Sequence, residues 1–330
     1  MFEIIILIYV FIVGLVIGSF LNVVGLRLLK NEDFVFERSK CPKCGAKIAW
    51  YDNIPILSFV LLGGKCRNCK ERISFQYPLV EFITAALFTG VYYCWGFSLA
   101  TLFLFFFVAN LIVITITDWK EKLIYDINSV PLIPVGLVYN FFNIGGGSTE
   151  TVKYLGITFN EVFISALLGA LLGATFFEIF SRIGYVFSGE YAFGGGDTIL
   201  GAAFGAWFGW KAFIIILVLS FLIQMVVGIP IMLSNLLKAK EHITLYAMGG
   251  LFMSLLLSII GRICTYSAHF FIAVGVILCA FAIGIVSVIV IFKRMRETQN
   301  YTFLPFGPPL VLAALIYLFA GNNLEITLPF

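Results

Sequence analysis

The sequence predicts an all-α polytopic membrane protein, with about eight to ten transmembrane helices and a small cytoplasmic zinc-ribbon-like insertion. Three observations predict it. Of 330 residues, 61% are hydrophobic and only 12% are charged, and apolar runs recur from end to end, as in a helical membrane protein rather than a soluble domain. Ten of the 21 Lys and Arg fall between Arg27 and Arg72, which marks that polar stretch as cytoplasmic by the positive-inside rule. Four of the seven Cys lie within it as two C-x-x-C pairs.

The first apolar run, 2–26, lacks a basic n-region and a small-residue cleavage site, so it reads as a retained span rather than a removed signal peptide. Gly14, Gly18 and Asn22 recur along it at four-residue spacing, a face suited to close helix packing. Arg27 and Lys30 end it on the basic side, and the polar segment 31–77 follows. Spans at 78–97 and 99–117 lead out and back to a charged turn beginning at Asp118. A short fourth span covers 127–142, and a Gly-rich external loop reaches to about 160. The fifth span, 161–180, carries Gly169 and Gly173. Spans at 198–210, 212–233, 246–263, 268–292 and 304–320 complete a count of ten, with both termini external and every strongly basic loop on one side.

The chemistry centres on Gly194, Gly195, Gly196 and Asp197. Three glycines make a turn, and Asp197, Gly201, Gly205 and Gly209 then recur every four residues, placing a carboxylate and a strip of small residues on one helix face. An ionisable group at membrane depth is by default a functional hypothesis with a partner to be found. The topology offers Asp118 on the same side. Two carboxylates that share a site hold one proton between them, so the ionised member can activate water while the protonated member polarises a carbonyl. The bland alternative is that both simply cap helices or face water. Asp126 reads as an N-cap of the fourth span. Glu178 and Glu190 either tune the pair or, for Glu178, snorkel with Arg182.

Cys41, Cys44, Cys66 and Cys69 form two knuckles suited to tetrahedral Zn2+, and four thiolates leave no open position, so the site is structural. Disulfides or free thiols are the alternative. No P-loop, Ser-His-Asp arrangement or HExxH motif is present, and nothing points to nucleic acid.

These residues resemble the bacterial type IV prepilin peptidases, the leader peptidase/N-methyltransferases of the GxGD aspartyl protease class. The run Gly18, Ser19, Phe20, Leu21, Asn22, Val23, Val24 with Arg27 is similar to the family's opening motif. The two C-x-x-C pairs match its cytoplasmic segment, and Tyr77, Pro78, Leu79, Val80, Glu81 match its entry to the second span, with Gln76 in place of an Arg. Asp118 with Asp126 resembles the first aspartate motif, Gly194 through Trp210 the second, and Phe303 through Pro309 the last.

The resemblance implies that Asp118 and Asp197 are the catalytic pair. It implies cleavage of the basic leader from type IV prepilins or type II secretion pseudopilins, after Gly, at the cytoplasmic face of the inner membrane. It also implies N-methylation of the new amino terminus with S-adenosylmethionine. Gly18, Asn22, Arg27 and Glu81 are its position-matched candidates for methyl-donor binding, although helix packing accounts equally well for Gly18 and Asn22.

In domain terms, 1–29 is then the first helix of a methyltransferase-type region and 30–77 the zinc segment. The peptidase core is 78–236, an additional transmembrane hairpin is 237–300, and the last helix lies in 301–330. Two departures stand out: Ile199 occupies a position where a Lys is usual, and Tyr125 one where a Pro is usual. The expected partners are prepilins or pseudopilins and the lipid bilayer. A transporter is the rival reading, since intramembrane carboxylates also mark ion routes, and it would be favoured by inverted repeats, which the sequence lacks.

Overall fold

A computed structural model describes residues 2–30, 32–33, 39–146, 151–154, 157–189, 191–238, 241–266, 270–298 and 305–321. Glu190, Phe303 and Leu304, singled out above, lie outside the described residues. The expected all-α membrane fold is present. The helices are α1 (Phe2–Leu28), α2 (Leu57–Leu61), α3 (Gln76–Trp95), α4 (Leu99–Glu121), α5 (Asp126–Ser129), α6 (Leu132–Phe141), α7 (Glu161–Ser188), α8 (Gly195–Lys238), α9 (His242–Tyr266), α10 (Phe270–Thr298) and α11 (Gly307–Ala320). A 3-10 turn covers Trp50–Asn53. Strands β1 (Thr151–Tyr154) and β2 (Ile157–Asn160) pair as an antiparallel hairpin within the expected external loop.

Six helices among the described residues are long and apolar enough to cross a bilayer: α1, α3, α4, α7, α8 and α9. The stretch Gly275–Ile291 of α10 and the whole of α11 are apolar but shorter. The 44 residues of α8 would run to about 66 Å if straight, roughly twice the ~30 Å that a hydrocarbon core needs. The run is broken at Gly209, whose φ of 77° and ψ of 171° are not helical. A positive φ costs glycine nothing, and the break falls at the penultimate residue of the expected span 198–210, just before the expected span 212–233. Three local expectations change. Helix α4 continues to Glu121, so Asp118 lies in its last turn rather than in a loop. Gly195 and Gly196 are already helical, which makes Asp197 the third residue of α8. Asp126 is the first residue of α5, Tyr125 occupies the N-cap position, and no side chain caps that end.

The chain divides into two compact units. The first comprises Met1–Glu178, Gly195–Phe221 and Pro305–Phe330. Within it α4 is the most buried of the candidate spans, packed by α1, α3, α6 and α11. Helices α1 and α3 approach closely because Gly14 faces the backbone of Ala85, and a Cβ there would lie 2.6 Å from its Cα. Helices α7 and α8 meet glycine to glycine, Gly169 on Gly205 and Gly173 on Gly201. The small-residue strip read from the sequence thus finds its neighbour in α7, where close backbone contact supplies the dispersion energy that lipid-filled surroundings do not.

The aromatic core sits around Phe107, whose ring centroid lies 4.5 Å from that of Trp207 and 6.0 Å from that of Phe204. Trp207 donates its Nε1–H to the Leu132 carbonyl at 2.8 Å. Asn140 donates to the Ala206 and Trp207 carbonyls at 2.8 and 3.1 Å. Those carbonyls belong to the last turn before the Gly209 break, where helix carbonyls lose their ordinary N–H donors, and no water is at hand in a bilayer to replace them.

The second unit comprises Ile179–Gly194 and Leu222–Leu304. Its body is the pair α9 and α10, where Gly250 lies against Ser287 and Gly284 against Ser254. In the same unit the Ser181 hydroxyl donates to the Phe193 carbonyl at 2.6 Å and Tyr185 stacks on Tyr191.

Candidate functional site

Asp118 is 4% exposed, on the last turn of α4. Its Oδ2 accepts the backbone N–H of Gly307 at 2.8 Å. Gly307 opens α11, and Pro308 and Pro309 follow it. Prolines carry no N–H, so Gly307 supplies the one donor among these three residues, at the helix end that favours a negative charge. A side chain at 307 would collide with Asp118 itself, since a Cβ there would meet Oδ2 and lie 3.1 Å from Cγ. The Phe306 ring is held by Phe177 at 5.8 Å and Phe221 at 5.1 Å.

Asp197, half-buried, lies in the first turn of α8. Gly196 abuts Ile124, where a Cβ would come within 2.6 Å of the Ile124 Cβ. The start of the Asp197 helix is therefore seated on the short turn that leaves the Asp118 helix. Of the glycines before Asp197, Gly196 is required by the approach of Ile124, whereas Gly195 has open space around it. Ile199, the residue in place of the usual Lys, is half-buried in the same helix.

The other candidates gather where α1 meets α3. Gly18 faces Glu81, and a Cβ on it would lie 2.8 Å from the Glu81 Cα. Asn22 is completely buried, its Oδ1 accepting from Gln76 Nε2 at 3.0 Å while its Nδ2 has no hydrogen-bond partner. Glu81 is 6% exposed and its Oε2 accepts the Ile56 N–H at 2.7 Å. Ile56 has φ 60° and ψ −50°, a positive-φ γ-turn that is strained for a β-branched residue. Arg27 is also buried and donates to the Asp33 carbonyl at 2.8 Å. Gly18, Asn22 and Glu81 thus form one cluster, joined by Gln76 and Ile56, whose parts in it were not read from the sequence. The change from Arg to Gln at 76 was a signal that could have flagged the first, because an amide pairs with an amide. No local pattern announced the second.

The four cysteines come together. Their Sγ atoms all lie within 4.8 Å of one another, and Cys41 Sγ is 4.0 Å from Cys69 Sγ. Tetrahedral Zn–S bonds of about 2.3 Å place sulfurs about 3.8 Å apart, so the cluster is spaced to hold a metal ion. The two knuckles are built alike. Cys41 N–H bonds the Ala46 carbonyl and Cys66 N–H the Glu71 carbonyl, and isolated bridges Lys40 to Lys47 and Lys65 to Arg72 close each loop. Backbone N–H groups of Cys69 and Asn68 draw the Cys66 thiol down to about 7. The Cys44 thiol is lowered chiefly by the Ala46 backbone. Between the knuckles, Arg67 donates two 2.7 Å bonds to Asp52 and lies 5.5 Å over the Tyr51 ring. The guanidinium holds the Asp52 carboxyl below the usual range.

Residues 12–95 match the Bacterial Peptidase A24 N-terminal domain and residues 104–229 match the Type IV leader peptidase family. Among curated proteins, the chain is similar to the prepilin leader peptidase/N-methyltransferase of Neisseria gonorrhoeae, 34% identical over 66% of this chain and 79% of that protein. It is also similar to that of Myxococcus xanthus, 32% identical over 69% of this chain and 64% of that protein. The likeness to that of Vibrio cholerae is 42% over 42% of this chain and 57% of that protein. The match therefore spans a little under two thirds of the Myxococcus protein and over three quarters of the Neisseria one. No solved structure matches the chain. With both halves of the architecture matched in order and relatives aligned across most of their length, the chain belongs to the type IV leader peptidase family.

Proposed function

We propose that the chain is a membrane aspartyl endopeptidase that removes the basic leader of type IV prepilins or type II secretion pseudopilins. It cuts after Gly at the cytoplasmic face of the bacterial inner membrane and then N-methylates the new amino terminus. The observation that carries this reading is the setting of Asp118, a carboxylate buried at a helix end, held by the Gly307 N–H, with the helix of Asp197 seated on the adjoining turn. In the proposed reaction one aspartate is ionised and takes a proton from water, whose oxygen attacks the scissile carbonyl carbon. The other is protonated and gives its proton to the carbonyl oxygen. As the tetrahedral intermediate collapses, the C–N bond breaks, the leaving amine takes up the proton that the base received, and one hydroxyl of the intermediate returns its proton to the other aspartate, which restores the pair. A dyad at the membrane boundary suits a substrate whose charged leader stays in water while its apolar helix lies in lipid.

For the second activity, S-adenosylmethionine supplies an electrophilic methyl group to the free amine. Gly18, Asn22, Arg27 and Glu81 are the proposed binding residues, and the orphaned Nδ2 of Asn22 fits a site that a polar group completes, since a buried donor left unpaired is costly. The four thiolates are proposed to hold Zn2+ as a structural ion, the soft donor set that this metal prefers.

Co-expression with a prepilin tests the peptidase. Asp118→Asn and Asp197→Asn should each leave the leader uncut, and processing at the wild-type rate by either variant removes the pair. Labelled methyl donor, with mass measurement of the mature terminus, tests methylation on its own.

A further inference from the structure

We infer that the metal-binding segment is seated in the membrane interface, with the short helix α2 and Trp50 set among the headgroups and upper acyl chains of an anionic leaflet. The segment is then not a free cytoplasmic domain. Depth is the first argument. The Ile56 N–H is bonded to Glu81, the sixth residue of α3. Glu81 lies about 7–8 Å along that helix from its start, and the 20 residues of α3 make about 30 Å, the thickness of a hydrocarbon core. Helix α3 has no spare turn to stand clear of the bilayer, so its bond to Ile56 draws the beginning of α2 down to membrane level.

What α2 exposes there is apolar. Trp50 is 74% exposed, Val60 66% and Leu61 76%, with Leu57 also open. On α3, Leu79, Phe82 and Ile83 are exposed at the same level of the helix as Glu81, so apolar side chains lie open at the depth where α2 begins. In water such a surface would be a liability, whereas at an interface it is the anchoring face, and Trp and Tyr favour that depth.

Charge chooses the leaflet. Residues 39–72 hold seven Lys and Arg against two acids, and Lys47, Lys65 and Arg72 are exposed. One of the two acids, Asp52, is already paired with Arg67. A surface of this sign attracts anionic headgroups and repels a basic peptide.

The test uses the full chain in vesicles of phosphatidylethanolamine and phosphatidylglycerol. A photoreactive residue is placed by Leu61→p-benzoylphenylalanine or Leu57→p-benzoylphenylalanine, with Asn68→p-benzoylphenylalanine as the control on a knuckle turn. Illumination should give phospholipid adducts at 57 and 61, several-fold above those at 68. Replacing phosphatidylglycerol by phosphatidylcholine should lower the yield. Metal content of each variant reports that the segment is folded. With metal retained, three results overturn the inference: no lipid adduct at 57 and 61, equal adducts at 68, or adducts at 61 to a second protein chain in place of lipid.

Discussion

The Asp118 carboxylate is bound by the backbone N–H of Gly307, 189 residues further along the chain and 2.8 Å away. One carboxylate oxygen is thereby fixed by a helix end, and under the proposed function the other would be the one that acts. Glycine is required at 307 because any Cβ there would strike Asp118. Gly307→Ala should lower kcat for leader cleavage about a hundredfold, the order expected when a reacting group is displaced by about an ångström, with KM little changed. Gly90→Ala is the control, since its Cβ would press on Phe319 of the same helix α11 at 3.2 Å without touching Asp118. Similar loss of kcat in both variants would make the effect structural.

The metal site should be all-or-none. Four sulfurs within 4.8 Å of one another are spaced to share one ion, and no fifth donor would replace a lost thiolate among the clustered groups. Cys41→Ser or Cys69→Ser should abolish bound zinc in the purified protein, measured by elemental mass spectrometry. Full metal occupancy in either variant would contradict a four-thiolate centre.

The glycine seam between α7 and α8 should be intolerant of a single methyl group. A Cβ on Gly205 would overlap the backbone of Gly169, and forced overpacking costs about 1–3 kcal/mol. Gly205→Ala should lower the thermal midpoint in detergent. Gly275→Ala, where nothing lies within 4 Å, should leave it unchanged or slightly raised, because Ala favours a helix over Gly.

Trp207 both fills the core and satisfies a carbonyl. Trp207→Phe keeps a ring but removes the hydrogen bond to the Leu132 carbonyl, and a lost intramolecular hydrogen bond costs about 0.5–1.5 kcal/mol. The variant should unfold at lower temperature even though the aromatic contact with Phe107 is largely kept.

The two proposed activities should separate at Asn22. Asn22→Leu removes the orphaned Nδ2 and the acceptor for Gln76 and leaves the bond between Gly307 and Asp118 unaltered in its own residues. Leader cleavage should persist while the mature terminus stays unmethylated, read from its mass. Normal methylation would take Asn22 out of the proposed binding set.

The spans, the cysteine knuckles and the small-residue strips could be read directly from the sequence, because each rests on local physics. Twenty apolar residues cross a bilayer whatever surrounds them, a C-x-x-C turn presents two thiolates by itself, and small residues four apart share one helix face. The strip at Gly201 and Gly205 even announced a close neighbour. What the strip could not announce was which helix that neighbour is, since Gly14, Gly18, Gly169 and Gly173 offered equal surfaces. The tertiary structure chose α7.

The aspartates, too, were conspicuous as carboxylates in apolar surroundings, but their setting was not. Gly307 stood in a motif with no assigned role, because a backbone N–H has no side-chain signature. Ile56 looked like any loop residue, because its bond to Glu81 arises only when a 47-residue connection between α1 and α3 folds back on the second of them. By itself, then, the sequence determined the class of fold, the cysteine cluster and the candidate acids, all of which depend on residue type and short spacing. Only the tertiary structure decided which main-chain groups hold those acids. Such bonds join positions far apart in the chain, and their energy exists only once the helices have packed.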